Sequence, residues 1–484
     1  MVYKVIWRFL GKISLIQALV VTLPLALACW YQEDSCIAFI LTSIVGCVVG
    51  GLCLSQSKVR TKALTMREGI AITGLGWLLA TFLGMLPYVF GHYLGVLDGF
   101  FESISGFTGT GATVITDIES LPQSILLWRS MTHWLGGLGI VVIFIAILPE
   151  AGQAAVSMYN AEAAGPTRER VLPRLHEMTS VLFRMYMVFT TISLLVFLLC
   201  GMDFISAVNH ALSTISAGGF STYNDSAAHF DNPFVEGWMT FFMILAGGNF
   251  GLYYQIYQKG FHVVKRNTEF KAYLYILAVA TVCIGMNLMS AFSASWDKAL
   301  RFASFQVASI ATTGFVSADY DQWPTFSKGI LMLLMISGGC AGSTAGGLKV
   351  TRLLLNLFKA IWASVAHTLH PQMVIKLKMN GQYISTDTIV RTSQFFFLYI
   401  ACIALWTFLL TWDNIPVFDA IGISVSTMGC IGPAFGITGA TCTYAELSIF
   451  SKSILCLSML IGRLEMFTVL VMCRRSFWKT RGLW

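Results

Sequence analysis

Long apolar runs alternate with short polar stretches along the whole of this 484-residue chain. A helix that crosses a bilayer needs roughly 20 mostly apolar residues, and hydropathy on that criterion predicts ten membrane spans. They lie at 13–31, 36–54, 69–91, 126–149, 178–201, 236–257, 272–293, 327–358, 391–411 and 448–473. The first run also has the form of a signal peptide. We favour a first spanning helix, because further spans follow it.

Basic residues fall into six clusters, and two predicted spans separate each cluster from the next. The clusters lie within residues 4–12, 58–67, 168–184, 259–271, 349–391 and 474–481. The intervening loops are poor in Lys and Arg; none occurs between Arg67 and Arg129, or between Arg184 and Lys259. Because cytoplasmic loops carry the excess of Lys and Arg, the pattern predicts a multi-pass protein with both termini in the cytoplasm.

The composition agrees with a membrane protein of the all-α class. Hydrophobic residues make up 56% of the chain and charged residues 11%, whereas about 25% are charged in an ordinary soluble domain. This excludes a soluble enzyme, and it excludes disorder, which needs few apolar residues. The net charge is +7, and most of the positive charges fall in the six loop clusters, which indicates membrane topology and no nucleic-acid partner.

Each of the last four pairs of spans encloses an outer segment that is too apolar for an exposed loop. At 11–15 residues, these segments are too short to cross the membrane, so each is predicted to be a re-entrant half-helix. They lie at 97–108, 202–215, 296–310 and 418–428. An aspartate stands near the start of each segment and is predicted to cap the half-helix: Asp98, Asp203, Asp297 and Asp419.

A glycine-containing loop follows each half-helix. If Gly111, Gly219, Gly314 and Gly432 are equivalent, they are separated by 108, 95 and 118 residues. The chain then repeats a unit of helix, half-helix, loop and helix four times. The predicted organisation is two extra N-terminal transmembrane helices in 1–66 and pore repeats in 67–165, 166–266, 267–370 and 371–484, in a pseudo-fourfold arrangement.

Four such loops can surround one axis, where their backbone carbonyls replace the hydration shell of a cation. Irregular backbone survives at membrane depth only where it is buried in protein or lines a water-filled path. A single glycine loop would more simply cap a helix end, but four in matched positions favour a filter. The predicted filter residues are Thr110, Gly111, Gly218, Gly219, Thr313, Gly314, Ile431 and Gly432.

The second helix of the third unit is interrupted by a run too rich in glycine to be a good helix. We interpret it as an intramembrane loop that blocks the path below the filter; the alternative is close helix packing through small residues. Its residues are Gly338, Gly339, Gly342, Ser343, Thr344, Gly346, Gly347 and Lys349. Arg463 lies inside the last span, where a charge is by default functional. It is predicted to hold the loop's carbonyls, or else to pair with Glu465 or lipid.

Three further features of the sequence bear on its function. Asn380-Gly381, between alternating apolar and basic residues, predicts a β-hairpin that either docks a partner or is a folded surface loop. His133 and His210 are predicted to be packed polar groups, since nothing near them completes a catalytic set. The glycine run before Lys349 lacks the preceding strand and the spacing of a phosphate-binding loop, so no nucleotide site is predicted in this chain.

These motifs resemble the potassium-transporting subunits of the Trk/Ktr/HKT superfamily over nearly the whole chain. The resemblance lies in 339–349, 462–465, 108–114, 218–222 and 432–436. It implies one K⁺-binding glycine in each unit, and Gly111 in place of the serine of sodium-transporting members implies K⁺. Two positions depart from the family: Gly429-Cys430 stands where Asn-Asn is frequent, and Thr313 stands where Ala is usual, with one residue missing nearby.

The resemblance implies potassium uptake across the bacterial inner membrane, with K⁺ as the transported ion. It also implies a homodimer embedded in lipid and a cytoplasmic, nucleotide-binding regulatory ring of the TrkA type that opens the gate. The alternatives are a sodium-permeable or proton-coupled cation transporter of the same fold. A membrane-embedded enzyme is not favoured, because the spans present no convergent set of acid, base and nucleophile.

Overall fold

The computed structural model describes residues 3–57, 65–139, 175–293, 295–370, 372, 377–380, 382–464 and 466–479. Most of these residues are helical, which confirms the all-α class. Six of the described helices are long and apolar enough to cross a membrane, and a seventh is added if one bent helix pair is counted as a single span. The six are Tyr3–Tyr31, Ser35–Ser55, Met66–Phe90, Thr179–Leu199, Thr268–Phe292 and Thr386–Asp413.

Two N-terminal spans precede the predicted units and pack closely on each other. They comprise α1 (Tyr3–Val20), α2 (Thr22–Tyr31) and α3 (Ser35–Ser55). Small residues line the contact, where a Cβ atom on Gly46 would lie 2.9 Å from the Cβ of Ala18. Gln17 of α1 donates a hydrogen bond of 2.9 Å to the carbonyl of Ala80. The pair of spans is therefore fixed to the first unit.

The first two predicted units contain two half-helices and their flanking helices. The first consists of α4 (Met66–Phe90), α5 (Val96–Thr108) and α6 (Gln123–Gly137). The second consists of α7 (Leu175–Leu199), α8 (Phe204–Ile215), α9 (Pro233–Ala246), α10 (Phe250–Lys259) and α11 (His262–Arg266), with a 3-10 turn at Ser226–Phe230. The half-helices are α5 and α8.

The last two predicted units repeat this order. The third consists of α12 (Thr268–Phe292), α13 (Trp296–Thr312), α14 (Thr325–Ser337), α15 (Val350–Leu353), a π-helix (Leu354–Ala360) and α16 (Ile361–Leu369). The fourth consists of α17 (Thr386–Leu410), α18 (Val417–Gly429), α19 (Ile449–Leu464), α20 (Met466–Cys473) and α21 (Arg475–Trp478). Short 3-10 turns lie at Tyr320–Gln322, Thr411–Asp413 and Gly436–Thr438. The half-helices are α13 and α18.

Three clusters of buried side chains hold these units together. One joins the N-terminal helices to the first and fourth units, the second joins the third and fourth units, and the third joins the second unit to α13. The first cluster includes Trp77, Phe107 and Leu460. The second includes Tyr273, Met335 and Met428, and the third includes Tyr186, Phe242 and Phe305. Each cluster joins parts of the chain that lie far apart in sequence.

The uninterrupted span predicted at 236–257 is wrong. Helix α9 ends at Ala246 and α10 begins at Phe250, where the Asn249 side chain caps it by accepting from the Leu252 amide at 3.2 Å. The freed carbonyl of Gly247 accepts from the Cys340 amide at 2.8 Å. Hydropathy cannot detect this break, because its stabilising partner comes from another unit. The C-terminal part of the predicted span 126–149 lies outside the described residues.

Only one of the four predicted aspartate caps is confirmed. Asp203 accepts from the Ser206 amide at 3.0 Å at the start of α8. Asp98, Asp297 and Asp419 lie inside the first turns of their half-helices, which begin after Gly95, Ser295 and Pro416. A carboxylate in the first turn still interacts favourably with the positive end of the helix dipole. The four aspartates therefore predict the correct N-terminal ends of the half-helices, but three of them do not occupy the capping position.

The predicted β-hairpin is confirmed as two very short strands. Strands β1 (Lys378–Met379) and β2 (Gln382–Tyr383) are antiparallel, with Lys378 opposite Tyr383. Asn380 has φ +51°, the left-handed conformation that such a tight turn requires. Its side chain accepts from the Thr268 amide at 2.8 Å. The hairpin is thereby attached to the start of α12.

Candidate ion pathway

Each of the four half-helices is followed by a glycine in the left-handed backbone conformation. Helices α5, α8, α13 and α18 stop two to four residues before the predicted filter glycines. The φ angles are +82° at Gly111, +81° at Gly219, +99° at Gly314 and +102° at Gly432. Residues with a side chain rarely adopt these angles. The glycine at each position is therefore required by the backbone itself.

These four glycines and the residues before them form a closed ring. A Cβ atom on any of the glycines would meet a carbonyl oxygen of the next unit at less than 3 Å. The distances are 2.2 Å from Gly111 to Gly218 O, 2.5 Å from Gly219 to Thr313 O, 1.8 Å from Gly314 to Ile431 O and 2.6 Å from Gly432 to Thr110 O. Each unit contacts the next and the fourth contacts the first, so the structure brings all eight predicted filter residues together.

Each loop is tied to its own half-helix by the same backbone hydrogen bond, across five residues. The acceptor is always a serine carbonyl. The bonds run from Thr110 N to Ser105 O (2.9 Å), Gly218 N to Ser213 O (2.9 Å), Gly314 N to Ser309 O (2.9 Å) and Ile431 N to Ser426 O (3.0 Å). The C-terminal end of a helix carries partial negative charge. Four such ends converging on one ring favour a cation there.

The third unit is one residue shorter, and the structure locates the deletion. In the other units a left-handed residue stands two positions before the filter glycine: Gly109 (φ +70°), Ala217 (φ +57°) and Cys430 (φ +54°). In the third unit α13 continues to Thr312, and Thr313 has φ −122°. The missing residue is thus the left-handed cap. The departure at Gly429-Cys430 leaves the usual geometry in place.

The ring is not uniform in its hydrogen bonding. The carbonyl of Gly432 accepts from the Tyr444 hydroxyl at 2.6 Å and from the Ser426 hydroxyl at 2.9 Å. These bonds compete with any ion for that oxygen. Sequence reasoning missed Tyr444, because it lies in a polar loop after the filter that shows no motif.

The predicted gate loop lies against the ends of the half-helices. The Thr344 hydroxyl lies 3.1 Å from the carbonyl of Ile215, the last residue of α8, and 3.2 Å from the carbonyl of Ala246. A Cβ atom on Gly346 would lie 2.1 Å from the carbonyl of Gly429, the last residue of α18. The loop thus contacts the second and fourth units at the level where their half-helices end.

Arg463 connects this loop to the first unit. Its guanidinium donates to the carbonyl of Thr344 at 3.0 Å and to the carbonyls of Gly136 and Gly137 at 2.5 and 2.7 Å. The Lys349 ammonium donates to the carbonyl of Ala345 within the loop. The predicted contact of Arg463 with the loop is confirmed for one loop carbonyl, that of Thr344. The alternative pairing with Glu465 involves a residue outside the described residues.

A cavity of about 110 Å³ adjoins the loop. It is lined by loop residues 342–347, by Met428 at the end of α18, and by three cationic side chains: Lys349, Arg352 and Arg463. A cation entering this space loses hydration and meets positive charge. In this conformation the cavity therefore opposes passage of a cation.

A buried ion pair beside the filter was not found by sequence reasoning. Arg129 Nε lies 2.9 Å from Glu102 Oε1, and the two side chains are 1% and 0% exposed. The sequence signal for this pair was Arg129 itself, a basic residue inside the predicted span 126–149, because a charge within a span is by default functional. His133 and His210 are buried and hydrogen-bonded to the carbonyls of Gly106 and Ser206 at 2.7 and 2.8 Å, as expected of packed polar groups.

Comparisons with known proteins identify relatives of this chain in sequence and in fold. The sequence profile of the TrkH family, described as cation transport protein, matches residues 36–479. The chain is 33% identical to the Trk system potassium uptake protein TrkH of Salmonella typhimurium, over 99% of both chains. It is 30% identical to the Trk system potassium uptake protein TrkG of Escherichia coli K12, over 99% of both. The crystal structure of the potassium transporter TrkH from Vibrio parahaemolyticus superposes with a TM-score of 0.89 at 29% identity, covering 99% of this chain and 100% of that one.

Proposed function

This chain belongs to the TrkH family of cation transport proteins, and we propose that it takes up K⁺ across the bacterial inner membrane through a filter of backbone carbonyls. The observation that carries the proposal is the closed ring of four left-handed glycines, each in contact with a carbonyl of the next unit. Carbonyl oxygens bind cations by replacing their hydration shell. The members of this family are membrane transport proteins and not enzymes.

The choice of K⁺ rests on Gly111 and on the names of the relatives. A side chain at Gly111 would lie 2.2 Å from the carbonyl of Gly218 and would displace part of the ring. Both relatives compared above are named potassium uptake proteins. The predicted filter residues, from Thr110 to Gly432, act in this proposal as the K⁺ ligands.

The gate in this proposal is the loop from Gly338 to Lys349, held by Arg463. Conduction requires the loop to leave the ends of α8 and α18, which breaks the contacts of Thr344 and Arg463 described above. These contacts are hydrogen bonds to backbone carbonyls. They can reform without rearranging the filter.

In this proposal a cytoplasmic, nucleotide-binding regulatory ring of the TrkA type opens the gate. The transporter is a homodimer, and both termini of each chain lie in the cytoplasm. The clustered basic loops support this orientation. The hairpin β1–β2 presents Lys378 and Tyr383 on one small surface and is a contact point for such a ring.

The experiment that tests the function is rescue of a potassium-uptake-deficient bacterium on low-potassium medium, together with rubidium uptake into liposomes. We expect rescue by the wild-type chain. The variant Gly111→Ser should still insert but should lose preference for K⁺ over Na⁺. Equal Na⁺ and K⁺ flux in the wild type would favour the sodium-permeable alternative, and flux that collapses with the proton gradient would favour proton coupling.

A further inference from the structure

A buried carboxylate stands directly behind the first filter loop. Glu102 of α5 accepts from Arg129 Nε at 2.9 Å, from the Thr113 hydroxyl at 3.0 Å and from the Val114 amide at 3.1 Å. Thr113 and Val114 follow Gly111 closely in the chain. Because its charge is paired and its oxygens accept several hydrogen bonds, this carboxylate is held firmly despite complete burial.

Arg129 extends the contact to the second filter loop. Its NH1 group donates to the carbonyl of Ser221 at 3.1 Å, and its guanidinium carbon lies 4.1 Å from the centre of the Phe220 ring. Phe220 directly follows Gly219. One ion pair therefore touches the backbone of two neighbouring filter loops.

The same network reaches the fourth loop through Thr113. The carbonyl of Thr113 accepts from the Tyr444 amide at 2.8 Å, and the Tyr444 hydroxyl donates to the carbonyl of Gly432 at 2.6 Å. A continuous chain of polar contacts thus runs from Glu102 to a filter glycine of another unit. Thr113 is the residue at which the branches meet.

The equivalent positions in the other units are progressively less polar. Three residues before the tethering serine stand Glu102, His210, Gln306 and Ile423, and two residues after the filter glycine stand Thr113, Ser221, Val316 and Ala434. The second unit keeps one bond, which the Ser221 hydroxyl donates to His210 Nε2 at 3.0 Å. In the third unit Gln306 is buried, and neither of its amide atoms has a hydrogen-bond partner among the described residues. At these equivalent positions, it is the first unit that contains an ion pair.

We propose that Glu102 and Arg129 are positioning residues that set the preference for K⁺ over Na⁺ by holding three of the four filter loops at a fixed separation. The inference rests on the proposed function and deepens it. A carbonyl ring that cannot contract fits the larger ion and leaves the smaller one poorly coordinated. Loosening the network should therefore favour Na⁺ without adding or removing an ion ligand.

The decisive variant is Thr113→Val, which removes the shared hydroxyl at nearly constant volume. Glu102 keeps its bonds to Arg129 and to the Val114 amide, so no buried charge is left alone. A hydrogen bond to a charged group is strong enough for the K⁺/Na⁺ selectivity ratio to fall about tenfold. Thr113→Ser restores the hydroxyl and should restore the ratio. Thr73→Val is the matched control, since Thr73 is buried in α4 and its hydroxyl donates within its own helix, to Gly69 O at 3.0 Å.

A second pair of variants separates positioning from stability. Glu236, 2% exposed, pairs with Arg301 at 2.6 Å between α9 and α13, away from the filter ring. Glu102→Gln breaks a fully buried ion pair, and Glu236→Gln breaks a part-buried one in which Arg301 is 21% exposed, so both should lower the melting temperature. Only Glu102→Gln should change the K⁺/Na⁺ selectivity ratio, or narrow the difference between the melting temperature measured in K⁺ and that measured in Na⁺.

The measurements are rubidium and sodium uptake into liposomes and melting temperatures in K⁺ and in Na⁺. Wild-type selectivity in a folded Thr113→Val protein would overturn the inference, as would equal selectivity changes in Glu102→Gln and Glu236→Gln. Failure of the wild-type chain to rescue the uptake-deficient bacterium, or wild-type uptake without selectivity, would instead remove the proposed function on which the inference rests. If Glu102→Gln does not fold, the Thr113 pair decides.

Discussion

The filter ring and the gate loop are both glycine-rich, buried and irregular, yet their glycines meet different neighbours. In the filter, a Cβ atom on Gly314 or Gly111 would strike a carbonyl of another unit. In the gate loop, a Cβ atom on Gly338 would lie 2.4 Å from Gly346 O, and one on Gly347 would lie 2.8 Å from Gly338 Cα. All four filter glycines pack between units, whereas the gate loop packs partly on itself, through Gly338 and Gly347, and partly on the fourth unit, through Gly346.

We propose that this difference separates a filter that resists displacement from a gate loop that can move. A change in any filter loop displaces the next unit, and the closed ring carries the strain around all four. The gate loop keeps its internal contacts if it moves as a body, but it must break its hydrogen bonds to Ile215, Ala246 and Arg463. It must also break the bonds that join Cys340 N to Gly247 O, Gly342 O to Phe250 N and Ala341 N to the Glu269 carboxylate. The same residue type therefore serves two purposes, and the neighbours decide which.

The largest effect is expected from Gly314→Ala. The new Cβ would lie 1.8 Å from Ile431 O on a backbone with φ +99°, so the ring must open. Rubidium uptake into liposomes should fall at least about a hundredfold, because strain of this kind costs roughly 1–3 kcal/mol before the clash is counted.

Gly201→Ala is the control for Gly314→Ala. Gly201 has φ +92° with no atom within 4 Å of an added Cβ, so it shares the backbone strain and lacks the clash. Its uptake should stay near wild type. Comparable losses in both variants would mean that backbone strain alone, and not the contact between units, accounts for the effect.

The second prediction applies a similar clash to the gate loop and expects the opposite sign. In Gly346→Ala the Cβ would lie 2.1 Å from Gly429 O and would push the loop off the end of α18. Rubidium flux without any regulatory partner should rise about thirtyfold, if the contacts of Arg463 and Thr344 are lost together. Gly329→Ala in α14, with open space at its Cβ, should leave flux unchanged. Reduced flux in Gly346→Ala would show that the loop does not block the path.

The sequence was sufficient to predict both elements, but not how they are held. Matched glycine spacings indicated that Gly111, Gly219, Gly314 and Gly432 would meet, since only a repeated unit accounts for four such loops. Glycine density after Ser337 indicated the interruption, because such a run makes a poor helix. Both signals are local patterns.

The supporting contacts had no comparable signal. Glu102 and Arg129 are 27 residues apart, and Tyr444 reaches Gly432 from a separate loop. The break at Gly247 depends on a bond from Cys340, which belongs to another unit. These pairings are set by how whole helices pack, and periodicity along one helix does not encode them.

The third prediction tests the contact between Arg463 and the gate loop. Arg463→Ala removes a positive charge from the cavity and three hydrogen bonds to backbone carbonyls, and both losses favour conduction. Flux in the absence of a partner should rise about tenfold, the size expected for a charge-assisted hydrogen bond. Arg463→Lys keeps the charge without the planar fork and should fall between. Unchanged or lower flux in folded Arg463→Ala would make Arg463 a structural residue.

The smallest effect is expected from Thr344→Val, which removes a neutral hydrogen bond and retains the shape of the side chain. The Thr344 hydroxyl has one proton, so it donates either to Ile215 O at 3.1 Å or to Ala246 O at 3.2 Å. Both acceptors lie outside the loop. Losing a bond of about 0.5–1 kcal/mol should raise partner-free flux roughly two- to fivefold, and Thr344→Ser should retain wild-type flux. The K⁺/Na⁺ ratio should not change in either variant, because the bond links the loop to helix ends and not to the ring. A shift in selectivity in Thr344→Val would mean that the loop and the filter move together, and the separation into a rigid and a movable element would fail.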